Sequence, residues 1–510
     1  MDYLLAKNSN SGIYLQGRYE LQLRDSWGLL TNGSSANGGI YERYDERRGK
    51  GMEGFEGHAP RQNVSRAPGL WQHLKISFQA PRFDKAGLKT QNARMLSVEL
   101  NGIVIHENVE LMGVTRGAMD TNEVASGPLR FQGDHGAVAF RNISIKKFDG
   151  LRPVFNDIHY SVYYAAYQTI PDFTKMKPDE EGSLTKLTTA FLKKDHEFLI
   201  RYTGTVDIKQ PGEYLFLRET NGKGYVKING QVVSDIFSYV TTPVKLEAGR
   251  FPFEIIYTKP ANWFATSFGL TVSASDVRAF LISDKASLSR EYPDPITVEV
   301  KEPIVLRSFM DVPDSKRVVH AANVGSPSQF HYSYDMDNGS LFQIWRGAFL
   351  DATPMWYGRG DGSSLPSGSV LQLDLPRQSV IYLASLKDSI SADTSSSAFI
   401  TKGYELGDQE QTTFSYRLRG ATIKDALQVT ENGQALKRTI SITNNPGQLY
   451  LRIAEGQAIK NNSKGWYVVG DNRYYIRLEK ESMNPVLREV NGHYELLVPL
   501  QNTISYSILF

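Results

Sequence analysis

Cysteine is absent from the 510 residues, which excludes disulfides, thiolate metal sites and a cysteine nucleophile while leaving the compartment open. An excess of one charge is also missing. Lys and Arg number 57 against 55 Asp and Glu, and no basic run stands out, so there is no electrostatic case for nucleic acid as a partner. No apolar stretch approaches the roughly 20 residues of a membrane-crossing helix. The opening "MDYLLAKNSNSGIYL" lacks the basic-then-apolar order of a secretory signal and enters strand-like alternation at once. Helical periodicity is scarce, and only "SASDVRAFLI" and "TIKDAL" read as short turns of helix. His-x-His, His-Glu-x-x-His and Gly-x-Ser-x-Gly do not occur, so neither a local metal pair nor a nucleophile elbow is present.

What the chain does hold is β structure. With 43 glycines, 27 tyrosines, 24 phenylalanines and many short alternating runs, it reads as all-β throughout. Two Pro- and Gly-containing stretches, "FDGLRPVFND" and "REYPDPITVEVKEP", divide it into domains 1–150, 151–290 and 291–510, each long enough for its own core. "SVELNGIVI" and "YVKINGQVV" place Asn-Gly between alternating apolar residues, the preferred pair for a two-residue hairpin turn. Antiparallel sandwiches are therefore expected for the first two domains, followed by a β-rich C-terminal domain.

Three stretches carry candidate chemistry. In "GRYELQLRDSWG", Tyr19, Leu21 and Leu23 share one face and Glu20, Gln22 and Arg24 the other. That polar row is either a solvent-facing stripe or a concave surface offering a sugar an acceptor, an amide and a donor fork. In "GPLRFQGDHGAVAFRNISIKKF", alternation on both sides predicts a hairpin whose turn presents Asp134 and His135, with a bulge at Arg141 and Asn142 where the phase slips. In the last domain, Trp345, Trp356 and Tyr357 stand among Arg346, Asp351, Arg359 and Asp361. This set suits sugar rings and equally a core edge with ion pairs. The glycine-rich "NGSSANGGIYERY" leads to Tyr41 but lacks the spacing and following helix of a phosphate loop. Cys-x-x-Cys-His is absent, so no covalent haem is held.

The ordered pieces "NSNSGIYLQGRYELQLRDS", "NGGIYERY", "LWQHLKI", "LSVELNGIVI" and "GPLRFQGDHGAVAFRNISIKKF" together resemble the 3-keto-disaccharide hydrolase domain family, a concanavalin-like β-sandwich, over about residues 1–149. The resemblance implies extracytoplasmic carbohydrate processing, in the periplasm or outside the cell, on an oligosaccharide or glycoside. A ketone at sugar carbon 3 acidifies the hydrogen on carbon 2, its removal expels the substituent on carbon 1, and water then adds. Glu20 and His135 are the implied base and acid, in either order. Gln22, Asp25, Tyr41 and Arg141 are the implied substrate-binding set, with Gln22 and Arg141 as donors toward the enolate. No cofactor is evident, although the family leaves room for a divalent metal. Trp71 and Gln72 stand where members usually carry Trp-Asn. The family's opening strands, which precede "NSNSGIYL", are not seen here, so an unpaired edge or exposed apolar surface is expected near Ile13 and Leu15.

The middle domain resembles the lectin-like domain of anthrax protective antigen through "GEYLFLRETNGKGYVKINGQVV", "LEAGRFPFEIIYTK" and "SFGLTVSASD". Sugar-binding members hold calcium with paired aspartates where this chain reads "RETNGKG", with Glu219 as its single carboxylate, so no calcium is expected there. A spacer and a lectin both remain open for it. For the whole chain, the leading reading is hydrolysis or elimination of 3-keto-glycosides. Its alternatives are a non-catalytic carbohydrate-binding protein and an adhesion or scaffold module.

Overall fold

Alternation becomes strand pairing throughout the computed structural model, and every described ladder is antiparallel. The structure describes all residues except 31, 236–239, 262–263, 289–293, 315–316, 358–359, 361, 374–375, 389–398, 464 and 480–482. The chain forms two compact units: Met1–Ile143 with Pro293–Phe510, and Ser144–Tyr292. The first and last segments of the sequence thus share one unit. No helix among the described residues is long and apolar enough to cross a membrane.

In the first segment, a five-stranded sheet runs in the order Ile103–Leu111, Ala93–Leu100, Trp71–Gln79, Asp2–Leu5, Val138–Arg141. A three-stranded sheet runs in the order Arg130–Phe131, Asn10–Leu15, Tyr19–Arg24. Tyr3, Leu5, Leu74, Met95 and Val98 of the larger sheet pack with Ile13, Tyr19, Leu21 and Leu23 of the smaller, giving a two-sheet sandwich with one core. Asn101 and Gly102 take φ 51° and 86°, which closes the expected two-residue turn without splaying its strands.

Three expectations are corrected. Arg130–Phe131 and Val138–Arg141 do not form a hairpin, because the first pairs with Asn10–Leu15 in one sheet and the second with Asp2–Leu5 in the other. The segment between them crosses the sandwich, and the half-buried Phe131 and Phe140 meet against the core with ring centroids 4.7 Å apart. Nor is there a bulge at Arg141: the strand ends there, and Asn142 turns out of the ladder at φ 51°. The strand Asn10–Leu15 is paired on both sides and Ile13 is buried, so no apolar edge lies open at Ile13 and Leu15.

The unit Ser144–Tyr292 holds a seven-stranded and a four-stranded sheet around Phe198, Tyr202, Phe216, Ile255, Tyr257 and Phe268. Asn229 and Gly230 close its Asn-Gly turn at φ 49° and 80°. "SASDVRAFLI" is not helical here, since it leaves the strand Phe268–Ala274 and re-enters at Phe280–Leu281. In "RETNGKG", the Asn221 carboxamide oxygen accepts from the Tyr257 hydroxyl at 2.9 Å and from the Ser267 amide at 3.1 Å.

Residues 293–510 add a six-, a four- and an eight-stranded sheet. "TIKDAL" lies within the strand Ala421–Thr430, where Ala421, Ile423, Asp425 and Leu427 point inward. The inward Asp425 pairs side-on with the equally buried Arg438 through bonds of 2.9 and 2.6 Å, and it also accepts from the Tyr334 hydroxyl at 2.9 Å. Trp345 and Arg346 are core residues here, whereas Trp356 is 76% exposed, so the aromatic set is not one platform. Asp351 accepts from the Thr353 amide at 2.8 Å to start the short helix Thr353–Trp356. Arg359 and Asp361 lie outside the described residues.

Removing one partner of a buried ion pair leaves the other charge uncompensated. Asp425→Asn should therefore lower unfolding free energy by about 3–5 kcal/mol in a denaturant titration, with part of it regained in Asp425→Asn/Arg438→Met.

Candidate active site

Strand register assembles the polar face. Glu20 lies opposite Tyr14, Gln22 opposite Gly12 and Arg24 opposite Asn10, while Arg130 lies opposite Tyr14 from the other side. Directly opposed residues project to one face, and Leu21 and Leu23 take the core. Residues 39–41 run along the free edge of Tyr19–Arg24, with Gln22 N–H to Gly39 C=O at 2.8 Å and Tyr41 N–H to Glu20 C=O at 3.0 Å. Arg130, Tyr14, Glu20 and Tyr41 thus form one row. Gln132, whose amide donates to the Gly12 carbonyl at 2.9 Å, begins a second row with Gly12 and Gln22.

This row is no solvent-facing stripe: Glu20 is only 2% exposed and Gln22 is also buried. The Glu20 carboxyl leans over Gly12, where a β-carbon would lie 2.9 Å from the carboxyl carbon. Thr115 covers the strand, accepting from the Glu20 amide at 3.0 Å and donating to the Arg18 carbonyl at 3.1 Å. The Arg130 guanidinium stacks 4.6 Å from the centre of the Tyr14 ring and donates to the Gly117 carbonyl at 2.8 Å.

Desolvation dominates the electrostatics. Burial pushes the Glu20 carboxyl up to about 7, only partly opposed by hydrogen bonding from Tyr14, the Arg130 charge and the Gln22 amide, and reinforced by the Asp134 carboxylate. Burial and the neighbouring Glu20 raise the Tyr14 hydroxyl as well. At neutral pH, Glu20 is therefore divided between acid and carboxylate, the condition for a group that takes and returns a proton.

His135 is exposed in the crossing segment. Its Nδ1 lies 3.0 Å from Asp134 and 3.3 Å from the Gln132 amide, and its carbonyl accepts from the Asn10 amide at 2.8 Å. The hydrogen bond from His135 lowers Asp134. Gln132 and Asp134 thereby link this segment to the Glu20 rows. Tyr41 flanks Glu20. Asp25 does other work, accepting from the amides of Asn8 at 2.8 Å and Trp27 at 3.3 Å where the strand ends. Arg141 is not brought to this face. It sits in the larger sheet, bonded to Asp2 at 3.3 Å, paired with Asp471 and stacked 3.9 Å over Trp71.

Tyr14, Arg130 and Gln132 join the candidate residues only through strand pairing, although alternation in "NSGIYL" and "PLRFQG" sets them opposite the apolar residues. The arrangement does not fit a resident divalent cation. Among the described residues no three His, Asp or Glu side chains gather as ligands, and Asp134 is engaged by His135.

Residues 1–146 match the family model of the 3-keto-alpha-glucoside-1,2-lyase-like domain. This is 146 of 510 residues, and it places a domain of a carbohydrate-processing kind at the start of the chain. No curated protein matches. Solved structures with similarity include a protein named as a glycosyl hydrolase from Parabacteroides distasonis ATCC 8503, at 25% identity and TM-score 0.20, covering 26% of this chain and 53% of that one. A β-glucosidase from Kluyveromyces marxianus in complex with glucose shows 17% identity and TM-score 0.19, covering 23% of this chain and 16% of that one. An anti-sigma factor domain-containing protein from Clostridium clariflavum shows 14% identity and TM-score 0.22, covering 49% of this chain and 98% of that one. The chain therefore spans about half the length of the first and a sixth of the second. Likeness at this level carries no functional information.

The raised Glu20 has a stability consequence. Its folded value, about 7, lies above the 4.5 of an ordinary glutamate, so the native state holds this proton more tightly. The associated stability is full below pH 4.5 and is lost as pH rises through about 7. Glu20→Gln should therefore gain stability relative to wild type across that window, by on the order of 3 kcal/mol, in paired urea titrations at successive pH values.

Proposed function

We propose that the Glu20 face cleaves the glycosidic bond of 3-keto-glycosides, by elimination followed by addition of water. The observation that carries this reading is a buried carboxyl, Glu20, held between Tyr14, Gln22 and Arg130 on one sheet face inside the family-matched region.

In this reading, the ionised Glu20 takes the hydrogen on carbon 2 as a proton. The C–H electron pair forms the C2–C3 double bond, and the carbonyl oxygen becomes an enolate facing the Arg130 guanidinium and the Gln22 amide. As the enolate carbonyl re-forms, its electrons make the C1–C2 double bond and the C1–O bond breaks, leaving an enone. The departing alkoxide takes a proton from Glu20 or His135, so the proton count closes. Water then adds its hydroxyl to carbon 1 and a proton to carbon 2, restoring the 3-keto sugar. Tyr41 lines the substrate beside Glu20. Asp25 positions the end of the strand, and Arg141 serves elsewhere.

A second reading is carbohydrate binding without turnover, favoured by the near-complete burial of Glu20. The periplasm or cell exterior is the proposed location on the family match alone. The protective-antigen resemblance makes residues 151–290 an accessory module in the same proposal, as a spacer or a lectin.

The test incubates the full chain with a 3-keto-α-glucoside and, separately, with its unoxidised parent. The expected result is release of the aglycone from the ketone alone, with Glu20→Gln slower by roughly 10²–10⁴-fold and, at unchanged melting temperature for that variant only, His135→Ala slower by roughly a hundredfold. Binding of the ketone without release would favour the second reading, and full activity in Glu20→Gln would contradict the assignment.

A further inference from the structure

The outer face of the larger sheet carries a separate cleft, on the side of the sandwich away from Glu20. Gln79, Arg94 and Glu110 are register partners across three neighbouring strands, and they alternate with the inward Ala93, Met95 and Leu111. The short ribbon of Arg82–Phe83 and Lys89–Gln91 rises beside them as a wall. Together they border an open cleft of about 630 Å³ lined only by polar residues, a volume within the usual range for small-molecule sites.

The lining is already ordered. Glu110 accepts from Asn92 at 2.9 Å and from Arg94 at 3.0 Å, and Arg94 also donates to the Asn108 carboxamide at 2.9 Å. Lys89 pairs with Glu123, which accepts from the Tyr19 hydroxyl at 2.7 Å and so ties the ribbon to the sandwich. Each cation in the cleft has its own carboxylate, so the site offers no net charge to an ionic ligand. The carboxamides of Gln79 and Gln91 also line the cleft, and each carries both donors and an acceptor.

We infer that this cleft is a second binding site, for a neutral polyhydroxylated ligand, namely an uncharged oligosaccharide. Hydroxyl groups donate and accept at once, which matches interleaved amides, guanidinium and carboxylate. The cleft has no aromatic platform, so affinity is in the millimolar range, suited to holding a glycan near the chain. The inference does not depend on the Glu20 chemistry.

Saturation-transfer NMR and calorimetry on the full chain test it with maltotetraose, cellotetraose and laminaritetraose, and with trigalacturonate as the charged control. At least one neutral tetraose should bind with millimolar Kd, and trigalacturonate should not. Gln79→Ala/Gln91→Ala should weaken that binding by roughly fivefold or more, Gln79→Arg should weaken it by replacing a donor-acceptor amide with a donor-only cation, and Glu20→Gln should leave it unchanged. No binding by any neutral tetraose, preference for the charged sugar, wild-type affinity in both cleft variants, or loss of binding in Glu20→Gln would each overturn the assignment.

Discussion

A missing side chain at Gly12 makes room for the Glu20 carboxyl inside the fold. Two residues on adjacent strands compete for one volume, and only glycine on Asn10–Leu15 lets glutamate on Tyr19–Arg24 lie flat over the sheet. From that fit follow the desolvation of the carboxyl, its raised proton affinity and its company with Tyr14 and Arg130. A buried carboxylate with no single charge partner costs stability at neutral pH, which sets it apart from the neutralised Asp425–Arg438 pair of the C-terminal segment. Burial that its neighbours offset only in part is characteristic of sites that work on protons.

The same strand is anchored at its far end. Asp25 holds the amides of Asn8 and Trp27, and the half-buried Trp27 indole donates to the Phe510 carbonyl at 2.8 Å. Arg346 of the C-terminal segment is buried among the rings of Trp27, Phe330 and Phe510, with centroid distances of 5.8, 4.9 and 5.6 Å. The connection that follows is held as well: the Asn472 carboxamide donates to the Gly69 carbonyl at 2.9 Å and the Tyr475 hydroxyl to the Pro68 carbonyl at 3.2 Å. The last segment therefore braces the strand that presents Glu20, which is why the two ends of the sequence share one unit.

How much of this was legible depends on what alternation encodes. It specifies which face a residue takes, and it placed Tyr19, Leu21 and Leu23 inward and Glu20 and Gln22 together. Asn-Gly specified two turns for an equally local reason. Alternation does not specify which strand is the neighbour, so the segment from Arg130 to Arg141 read as a hairpin when it crosses between sheets. It is equally blind to cover: Thr115, Tyr41 and Arg130 come from distant segments, and only they turn a polar stripe into a buried row. "TIKDAL" misled for a related reason, since its inward aspartate is acceptable in a strand only beside Arg438, far along the chain. Arg141 followed the family motif, yet its partners Asp2 and Asp471 belong to another face.

Burial makes Glu20 hold its proton to near-neutral pH inside the folded chain. Infrared difference spectra between wild type and Glu20→Gln, taken at successive pH values, report that carboxyl directly. A protonated carboxyl band should persist past pH 5 and fade with a midpoint of about 7. A band lost with a midpoint near the ordinary glutamate value of 4.5 would contradict it.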